Sequence, residues 1–291
     1  MVTLLLMSYK GFAVLKHLIE KRQSAIIDSV IIGEDKAVQN DYSDAIAKLC
    51  TDNNLKFFNR KDIYTITSPY CFVISWRWMI QADHAEIIVL HDSLLPKYRG
   101  FAPLVNQLIQ GEKEIGVTAI QASDEYDKGP MLLQKSAPVQ YPLKIKEAIE
   151  IASGLYIQIA EDFFQMLLDN TKFTYTDQNE AQATYSLWRD DEDYKIDWSQ
   201  DAASIVRFID AVGYPYMGAS AFLGHEKIRI EDAEEYRDVT IVNRDAGKII
   251  FMEDGKPIVV CGSGLIKLKE ARYDNSQISI FPLQKFRIRF K

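Results

Sequence analysis

The sequence predicts an α/β protein in which a Rossmann-like, mostly parallel sheet flanked by helices is followed by a smaller, β-rich, OB-like domain. In the first half, apolar runs of strand length alternate with segments of helical periodicity. These runs are continuously apolar, which is typical of parallel strands buried on both faces. In the last hundred residues, short strands are separated by turn sequences such as EDG and GSG, which favours a small barrel or sandwich.

The elements of the first half follow from the length and periodicity of each apolar run. Strands are predicted at VTLLLM, SVII, CFVIS, EIIVL, IGVTAIQ and MLLQ. Helices are predicted at FAVLKHLIEK, at YSDAIAKLCTDNN, at about Phe101 to Gln110, and through KIKEAIEIASGLYIQIAEDFFQMLLDN. The segment after the first strand, SYKGF, lacks the glycines of a dinucleotide-binding loop.

A polar stretch from Thr171 to about Lys195 contains the predicted domain boundary. We predict a first domain over residues 1–180, a linker over residues 181–198 and a second domain over residues 199–291. The second domain opens with a helix in DWSQDAASIVRFIDAVG, for which Ser199 is the predicted N-cap. The strands predicted after this helix are ASAFL, KIRI, GKIIFM, PIVVC and LIKLKEA.

Composition narrows the classes of function. The 291 residues, 47% of them hydrophobic, can bury one large core with a smaller companion. The three cysteines are widely separated and lack CxxC spacing, so we expect no metal site, no disulfides and a cytoplasmic location. The opening apolar run is too short for a membrane span and no basic region precedes it. A formal charge of −7 disfavours nucleic-acid and membrane surfaces and favours a small-molecule substrate.

Three polar side chains directly follow predicted parallel strands. Ser8 follows VTLLLM, Ser75 follows CFVI and His91 follows EIIVL. Because open α/β sheets bind their ligands beyond the carboxyl ends of the strands, we expect these side chains to converge on one site. Histidine titrates near neutral pH, so His91 is the candidate there for moving a proton.

The region around His91 carries a motif in two parts. HDSLLPKYRGFAP is followed by GEKEIGVTAIQASDEYDKGPMLLQ, which contains Asp127 before Lys-Gly-Pro. Together these segments resemble the central signature of the folate-dependent formyltransferases, which move a formyl group from 10-formyltetrahydrofolate to an amine. The resemblance is strong from about Cys71 to Gln134. It implies the formyltransferase fold and this folate as co-substrate.

The resemblance implies that His91 and Asp127 meet in the active site. An amine that attacks a formyl carbon must lose a proton, which an imidazole accepts well, and a neighbouring carboxylate stabilises the resulting imidazolium. The family has an asparagine two positions before the histidine, where it donates to the developing oxyanion, but this chain has Val89. Our hypothesis is that backbone amides of the HDSLL loop, protonated His91 or the side chain of Ser93 replace that donor.

The resemblance also indicates where the folate and the acceptor bind. The folate candidates flank an apolar slot: Trp78, Met79, Ile80, Leu90, Ser123, Asp124, Glu125 and Tyr126. An alternative is that Trp78, Met79 and Ile80 are core residues. The acceptor candidates lie at strand ends and in basic loops, where cationic groups match phosphate oxygens: Ser8, Lys10, Ser75, Arg77, Lys97, Tyr98 and Arg99. An alternative for Arg99 is a structural role, bonding carbonyls of the active-site loop.

Two branches of the family carry a second domain like this one, the methionyl-tRNA formyltransferases and the sugar-nucleotide N-formyltransferases. Residues 195–291 contain 15 Lys plus Arg and 14 Asp plus Glu. An RNA clamp needs a clear basic excess, so we expect a nucleotide-linked amino sugar as acceptor rather than a nucleic-acid polymer.

Three alternatives to this function stay open. The first is a methionyl-tRNA formyltransferase. The second is a folate-binding homologue that is catalytically silent because of Val89, and the third is a formyltetrahydrofolate hydrolase with water as acceptor. The strands of the last hundred residues offer a surface for a homodimer.

Overall fold

The computed structural model describes residues 1–36, 38–80, 82–283 and 285–291. These residues form two compact units. The first consists of residues 1–104, 113–139 and 148–187, and the second of residues 105–112, 140–147 and 188–291. The change from Leu187 to Trp188 lies inside the predicted linker 181–198, while the boundaries of the predicted domains 1–180 and 199–291 stay a prediction.

Nine strands belong to the first unit. They are β1 Val2–Leu6, β2 Ile27–Ile32, β3 Phe57–Asn59, β4 Tyr70–Ile74, β5 Glu86–His91, β6 Arg99–Gly100, β7 Glu114–Gln121, β8 Met131–Pro138 and β9 Tyr185–Ser186. Seven of them form a sheet in the order β3-β2-β1-β4-β5-β7-β8. The five strands from β3 to β5 in this order are parallel, and β7 and β8 add antiparallel neighbours. The predicted mostly parallel sheet is therefore confirmed.

The helices are those that the apolar periodicity predicts. They are α1 Ser8–Glu20, α2 Ser43–Asp52, α3 Pro103–Gln110, α4 Ile145–Leu168 and α5 Ala202–Ala211. Within the described ranges, none of these helices combines the length and apolarity that a membrane span requires.

The sheet of the first unit is buried on both faces. Alternate residues such as Leu4, Leu6 and Phe72 belong to the larger apolar cluster, which contains side chains of α1, α2 and α4. The residues between them, such as Leu5 and Val73, belong to a second cluster built with side chains of loops. Since successive strand residues point to opposite faces, burial of both sets explains why the strand sequences are continuously apolar.

The carboxyl ends of β1 and β4 lie side by side where the strand order reverses. β1 pairs with β2 on one side and with β4 on the other. Open α/β sheets have their ligand crevice at such a switch point. Ser8 and Ser75 follow these two strand ends, and His91 ends the next strand, β5.

The second unit contains α5 and an antiparallel sheet. Its strands are β10 Ala219–Leu223, β11 Glu226–Tyr236, β12 Ile249–Glu253, β13 Lys256–Val260 and β14 Leu265–Tyr273, in the order β10-β11-β14-β13-β12. The last residues of the chain bridge its two edges, because Phe290 pairs with Leu223 of β10 and Arg289 with Lys248 before β12. These bridges link the two edge strands, as in the small barrel predicted from the sequence.

The N-cap of α5 differs from the prediction. Asp201 occupies this position, and its carboxylate accepts hydrogen bonds from the Ser204 backbone N–H (2.9 Å) and hydroxyl. The predicted cap, Ser199, lies before the helix and donates its hydroxyl proton to Asp197 instead. Asp and Ser cap helices about equally well, so the sequence pattern alone did not separate the two positions.

We predict that Asp201→Ala lowers the free energy of unfolding by about 1 kcal/mol, the usual cost of losing a side-chain N-cap. Ser199→Ala removes only an exposed side-chain contact and is expected to change stability by less than about 0.5 kcal/mol. Denaturant titrations of the two variants and the wild type, followed by circular dichroism, make the comparison. An equal or larger loss in Ser199→Ala would contradict the assignment of the cap.

Candidate functional site

The ring of His91 is held in one tautomer by the backbone. His91 ends β5, is 7% exposed, and its Nε2 lies 2.8 Å from the carbonyl oxygen of Tyr98. A carbonyl oxygen only accepts hydrogen bonds, so Nε2 must carry the proton of the neutral ring. The lone pair of neutral His91 is therefore on Nδ1.

The carboxylate of Asp127 faces that lone pair. Its Oδ1 lies 3.4 Å from His91 Nδ1, and its Oδ2 accepts a 2.7 Å hydrogen bond from the backbone N–H of Gly100. Asp127 has a φ of 55°, in the left-handed region that side chains rarely adopt, so its turn must be held by neighbouring contacts. The structure thus brings together the two residues that the motif pairs, and the carboxylate is placed to stabilise an imidazolium.

The side chain of Ser93 does not lie where its predicted role as oxyanion donor requires it. Its side chain is fully buried, and its hydroxyl donates a 2.6 Å hydrogen bond to the Lys97 carbonyl. The neighbouring Thr118 hydroxyl donates to the Ser93 carbonyl and accepts from the Leu95 N–H. Because the single hydroxyl proton of Ser93 is already used, this geometry contradicts a role as oxyanion donor. Ser93 instead shapes the loop after His91.

Val89 lies on the same face of β5 as His91. It packs beside the second apolar cluster, with Val73 of β4 and Ile120 of β7 as its partners across the sheet. Its side chain offers no hydrogen-bond donor at the position where the family has an amide.

Lys10 forms an ion pair with Asp92, the residue after His91. Lys10 is buried, and its Nζ lies 2.5 Å from Asp92 Oδ2. Its ammonium also lies 5.5 Å from the ring centroid of Tyr156, whose hydroxyl bonds to the Leu90 carbonyl. Burial, and then the nearby carboxylates of Asp92 and Asp127, raise the pKa of Tyr156. A buried ammonium with a carboxylate partner is a poor phosphate ligand, which argues against the predicted acceptor role of Lys10.

Arg99 is fully buried, which agrees with the structural alternative suggested by the sequence, although its partners are not the carbonyls expected there. Its guanidinium donates to both carboxylate oxygens of Glu180, at 2.6 and 2.9 Å, and to Gln178 Oε1, at 2.8 and 3.1 Å. The hydrogen bond to Glu180 is the main cause that raises the pKa of Arg99 and lowers the pKa of Glu180. Arg99 therefore bonds side chains rather than carbonyls, and its burial contradicts contact with a phosphate.

The remaining acceptor candidates lie at the strand ends. The Ser8 hydroxyl donates to Ser75 Oγ at 3.1 Å, so the switch point brings these two residues together. Arg77 is half exposed and forms an ion pair with Asp35, and Lys97 is exposed. Tyr98 contributes its carbonyl oxygen to His91.

The folate candidates form two groups with separate contacts. The ring of Trp78 packs edge-on against Trp76, with 5.2 Å between the ring centroids, and the guanidinium of Arg60 lies 4.0 Å above it. Met79 is 82% exposed, whereas Ile80 packs on the second apolar cluster. The other group is an exposed loop with the residues Ser123, Asp124, Glu125 and Tyr126, of which Tyr126 lies 6.2 Å from Phe101. Leu90 is buried in the larger cluster, so its side chain points away from the face of His91.

Residues 178–186 complete this site, and no pattern in the sequence predicted them. Gln178 and Glu180 bind Arg99, Thr184 accepts the N–H of Arg99 through its carbonyl, and Ser186 accepts the N–H of Phe101. The segment has no periodicity, and part of it lies in the predicted linker. A buried guanidinium requires an acidic partner, but the burial of Arg99 is visible only in the structure, so the sequence offered no signal for this segment.

No metal site stands out in the described ranges. Among these residues, no group of three or more His, Cys, Asp or Glu has the arrangement of a metal site.

Comparisons with known proteins match both parts of the chain to one family. Residues 63–150 match the model of the formyl transferase family, and residues 189–280 match that of the formyl transferase C-terminal domain. A methionyl-tRNA formyltransferase of Marinobacter nauticus is 30% identical over 194 residues, which span 65% of this chain and 59% of that protein.

Two solved structures share the fold over most of the chain. A sugar 3N-formyl transferase, solved with dTDP and 5-N-formyl-THF, aligns with a TM-score of 0.66 at 18% identity and covers 92% of this chain and 96% of its own. An N-formyltransferase from Helicobacter canadensis, in complex with folinic acid and dTDP-3-aminofucose, has a TM-score of 0.67 at 15% identity and covers 92% and 98%. With both domain models matched in order along it, the chain belongs to the formyl transferase family.

Proposed function

We propose that this protein transfers a formyl group from 10-formyltetrahydrofolate to an amine, with His91 as general base and Asp127 as its partner. The observation that carries the proposal is the fixed tautomer of His91. With Nε2 bound to the Tyr98 carbonyl, the basic nitrogen Nδ1 faces Asp127 Oδ1 at 3.4 Å. The only proton acceptor of the ring is thus next to the charge that stabilises its protonated form.

The reaction is written with one proton moving through Nδ1. The acceptor amine forms a bond to the formyl carbon, the carbonyl electrons move onto its oxygen, and the amine proton passes to His91 Nδ1. When the carbonyl re-forms, the bond to folate N10 breaks and the proton on Nδ1 passes to that nitrogen. His91 ends in its starting state, and the products are the formamide and tetrahydrofolate.

The oxyanion then takes its hydrogen bond from His91. Ser93 is engaged with Lys97, and the loop amides of Ser93, Leu95 and Lys97 already bind His91 O, Thr118 Oγ1 and Leu94 O. Of the donors considered from the sequence, protonated Nδ1 is the one that this geometry favours. It becomes a donor at the step in which the oxygen acquires charge, which is when stabilisation accelerates the reaction.

A nucleotide-linked amino sugar is the acceptor that we propose. Two solved relatives that each cover 92% of this chain were crystallised with dTDP or a dTDP-amino sugar and with a folate. The near balance of charge over residues 195–291 also suits a small acceptor better than a polynucleotide. The folate is proposed to lie between the segment of Trp78, Met79 and Ile80 and the exposed loop of residues 123–126.

A second candidate is methionyl-tRNA as acceptor. The relative from Marinobacter nauticus has that activity in its name. The last seven residues also form a local basic run, with Lys285, Arg287, Arg289 and Lys291 and no acidic residue. However, Arg289 pairs with Asp245, which reduces the charge that this run presents to a phosphate backbone.

The two acceptors are separated by one experiment. The protein is incubated with 10-formyltetrahydrofolate and either a panel of nucleotide-linked amino sugars or methionyl-tRNA, and the products are examined by mass spectrometry. We expect a formylated amino sugar and no formylated tRNA. Formylated methionyl-tRNA, formed at a rate that falls steeply with salt, would overturn the amino-sugar proposal. Folate breakdown without an amine would indicate a hydrolase, and folate binding without any transfer a silent homologue.

We predict that His91→Gln lowers kcat by about 10² to 10⁴, the usual contribution of a general base. The glutamine amide is able to keep the hydrogen bond to Tyr98, so folate affinity measured by calorimetry is expected to stay close to wild type. His225→Gln, in the exposed turn before β11, is the matched control and should retain full activity. Wild-type turnover in His91→Gln would contradict the proposed base.

Val89→Asn tests whether the oxyanion already has its donor. If protonated His91 supplies it, an added amide should change kcat by less than about tenfold, whereas a missing donor is typically worth about 10² to 10³ in kcat. Val89→Thr is the control for introducing a polar group of similar size. A rise of kcat by two orders of magnitude in the asparagine variant alone would show that the wild-type site lacks a donor.

A further inference from the structure

The backbone of residues 98–100 contacts both members of the proposed catalytic pair. The Tyr98 carbonyl accepts the proton of His91 Nε2, and the Gly100 N–H donates to Asp127 Oδ2. A shift of this short segment therefore changes the position of the imidazole and of the carboxylate together. What holds the segment determines how the two groups face each other.

The residue in the middle of the segment is its anchor. Arg99 has no exposed surface, and its guanidinium is bound on one side by Glu180 and on the other by Gln178. A buried guanidinium is costly to leave unpaired, so this bidentate arrangement strongly favours one position of the side chain. The parallel pairing of β6 with β9 adds backbone hydrogen bonds, from the Arg99 N–H to the Thr184 carbonyl and from the Phe101 N–H to the Ser186 carbonyl.

Gln178 links this anchor to the turn of Asp127. Its Oε1 must face Arg99, because a guanidinium only donates, and this fixes the orientation of the amide. The Nε2 group then donates to the carbonyl oxygens of Asp127 and Gly129, each at 2.7 Å. The turn is tight, since a Cβ on Gly129 would lie 1.7 Å from the Gln121 carbonyl oxygen. One amide therefore holds the strained backbone that carries the catalytic carboxylate.

We propose that Gln178, oriented by Arg99 and Glu180, is a positioning residue that sets the alignment of Asp127 with His91. It acts from a segment that follows Asp127 by 51 residues and lies between the two regions matched by the family models. The inference rests on the proposed function for its kinetic test, and on the geometry alone for its structural test.

Gln178→Glu is the sharpest variant, because a carboxylate at this position still accepts from Arg99 but no longer donates to the two carbonyls. We expect kcat to fall by about 10- to 100-fold, the size of effect seen when a supporting hydrogen bond is lost, with KM for both substrates within about twofold. The pH profile of kcat should also change, because Asp127 no longer faces Nδ1 correctly. Gln182→Glu makes the same chemical change at an exposed neighbour and should behave as wild type.

A purely structural role for Gln178 predicts a different result. The melting temperature of Gln178→Glu would fall, while kcat of the folded protein and its pH profile stay as in wild type, and this outcome would overturn the proposal. Glu180→Gln leaves Arg99 an amide oxygen in place of its charged partner, so we expect a lower melting temperature and a smaller loss of kcat of the same kind. It replaces the first variant if Gln178→Glu does not fold.

Crystal structures of the wild type and the variant separate this proposal from the proposed function. A wild type that transfers no formyl group to any acceptor would refute the function and leave the alignment to be tested directly. We expect the distance from His91 Nδ1 to Asp127 Oδ1 to increase in the variant by more than about 0.5 Å, the tolerance within which catalytic groups must be held. An unchanged distance, with the turn in place, would refute the positioning role.

Discussion

The hydrogen bond from His91 Nε2 to the Tyr98 carbonyl is the constraint on which the proposed chemistry depends. It assigns the proton of the neutral ring to one nitrogen and the lone pair to the other, which faces Asp127. If the neutral ring had the opposite tautomer, its Nδ1–H would point at the carboxylate and its lone pair would lie on Nε2, against the Tyr98 carbonyl oxygen. The position of a single backbone carbonyl therefore determines which nitrogen of the neutral ring is able to accept a proton.

The fold supports this bond from three distant parts of the chain. β5 ends at His91, the antiparallel pair β7 and β8 encloses the turn of Asp127, and the segment before β9 supplies Gln178 and Glu180. The Gly100 N–H bonds to the Asp127 carboxylate, and the Gln178 amide bonds to the Asp127 and Gly129 carbonyls, so backbone groups link these parts. This arrangement holds reacting groups within the narrow tolerance that proton transfer requires.

The sequence predicted the features that are visible as apolar runs or as a family motif. Continuous apolar runs predicted the parallel strands, and the motif predicted that His91 and Asp127 meet. It did not predict the short strands β3, β6 and β9, which lack a periodic signal, or the role of Gln178, which depends on contacts across 51 residues. Arg99 and Lys10 were expected to meet phosphate because cationic groups beside a strand-end crevice match phosphate oxygens, with a structural role as the alternative for Arg99. Burial of both, with carboxylate partners, appears only in three dimensions.

The tautomer of His91 can be measured directly. In the protein labelled with ¹⁵N in its histidines, at a pH at which His91 is neutral, the NMR shifts of the two ring nitrogens differ strongly between the protonated and the unprotonated position. We predict that Nε2 carries the proton and that Nδ1 has the shift of a nitrogen with a free lone pair. A spectrum in which Nδ1 carries the proton would contradict it, because the nitrogen beside Asp127 would then have no lone pair to accept a proton from an amine.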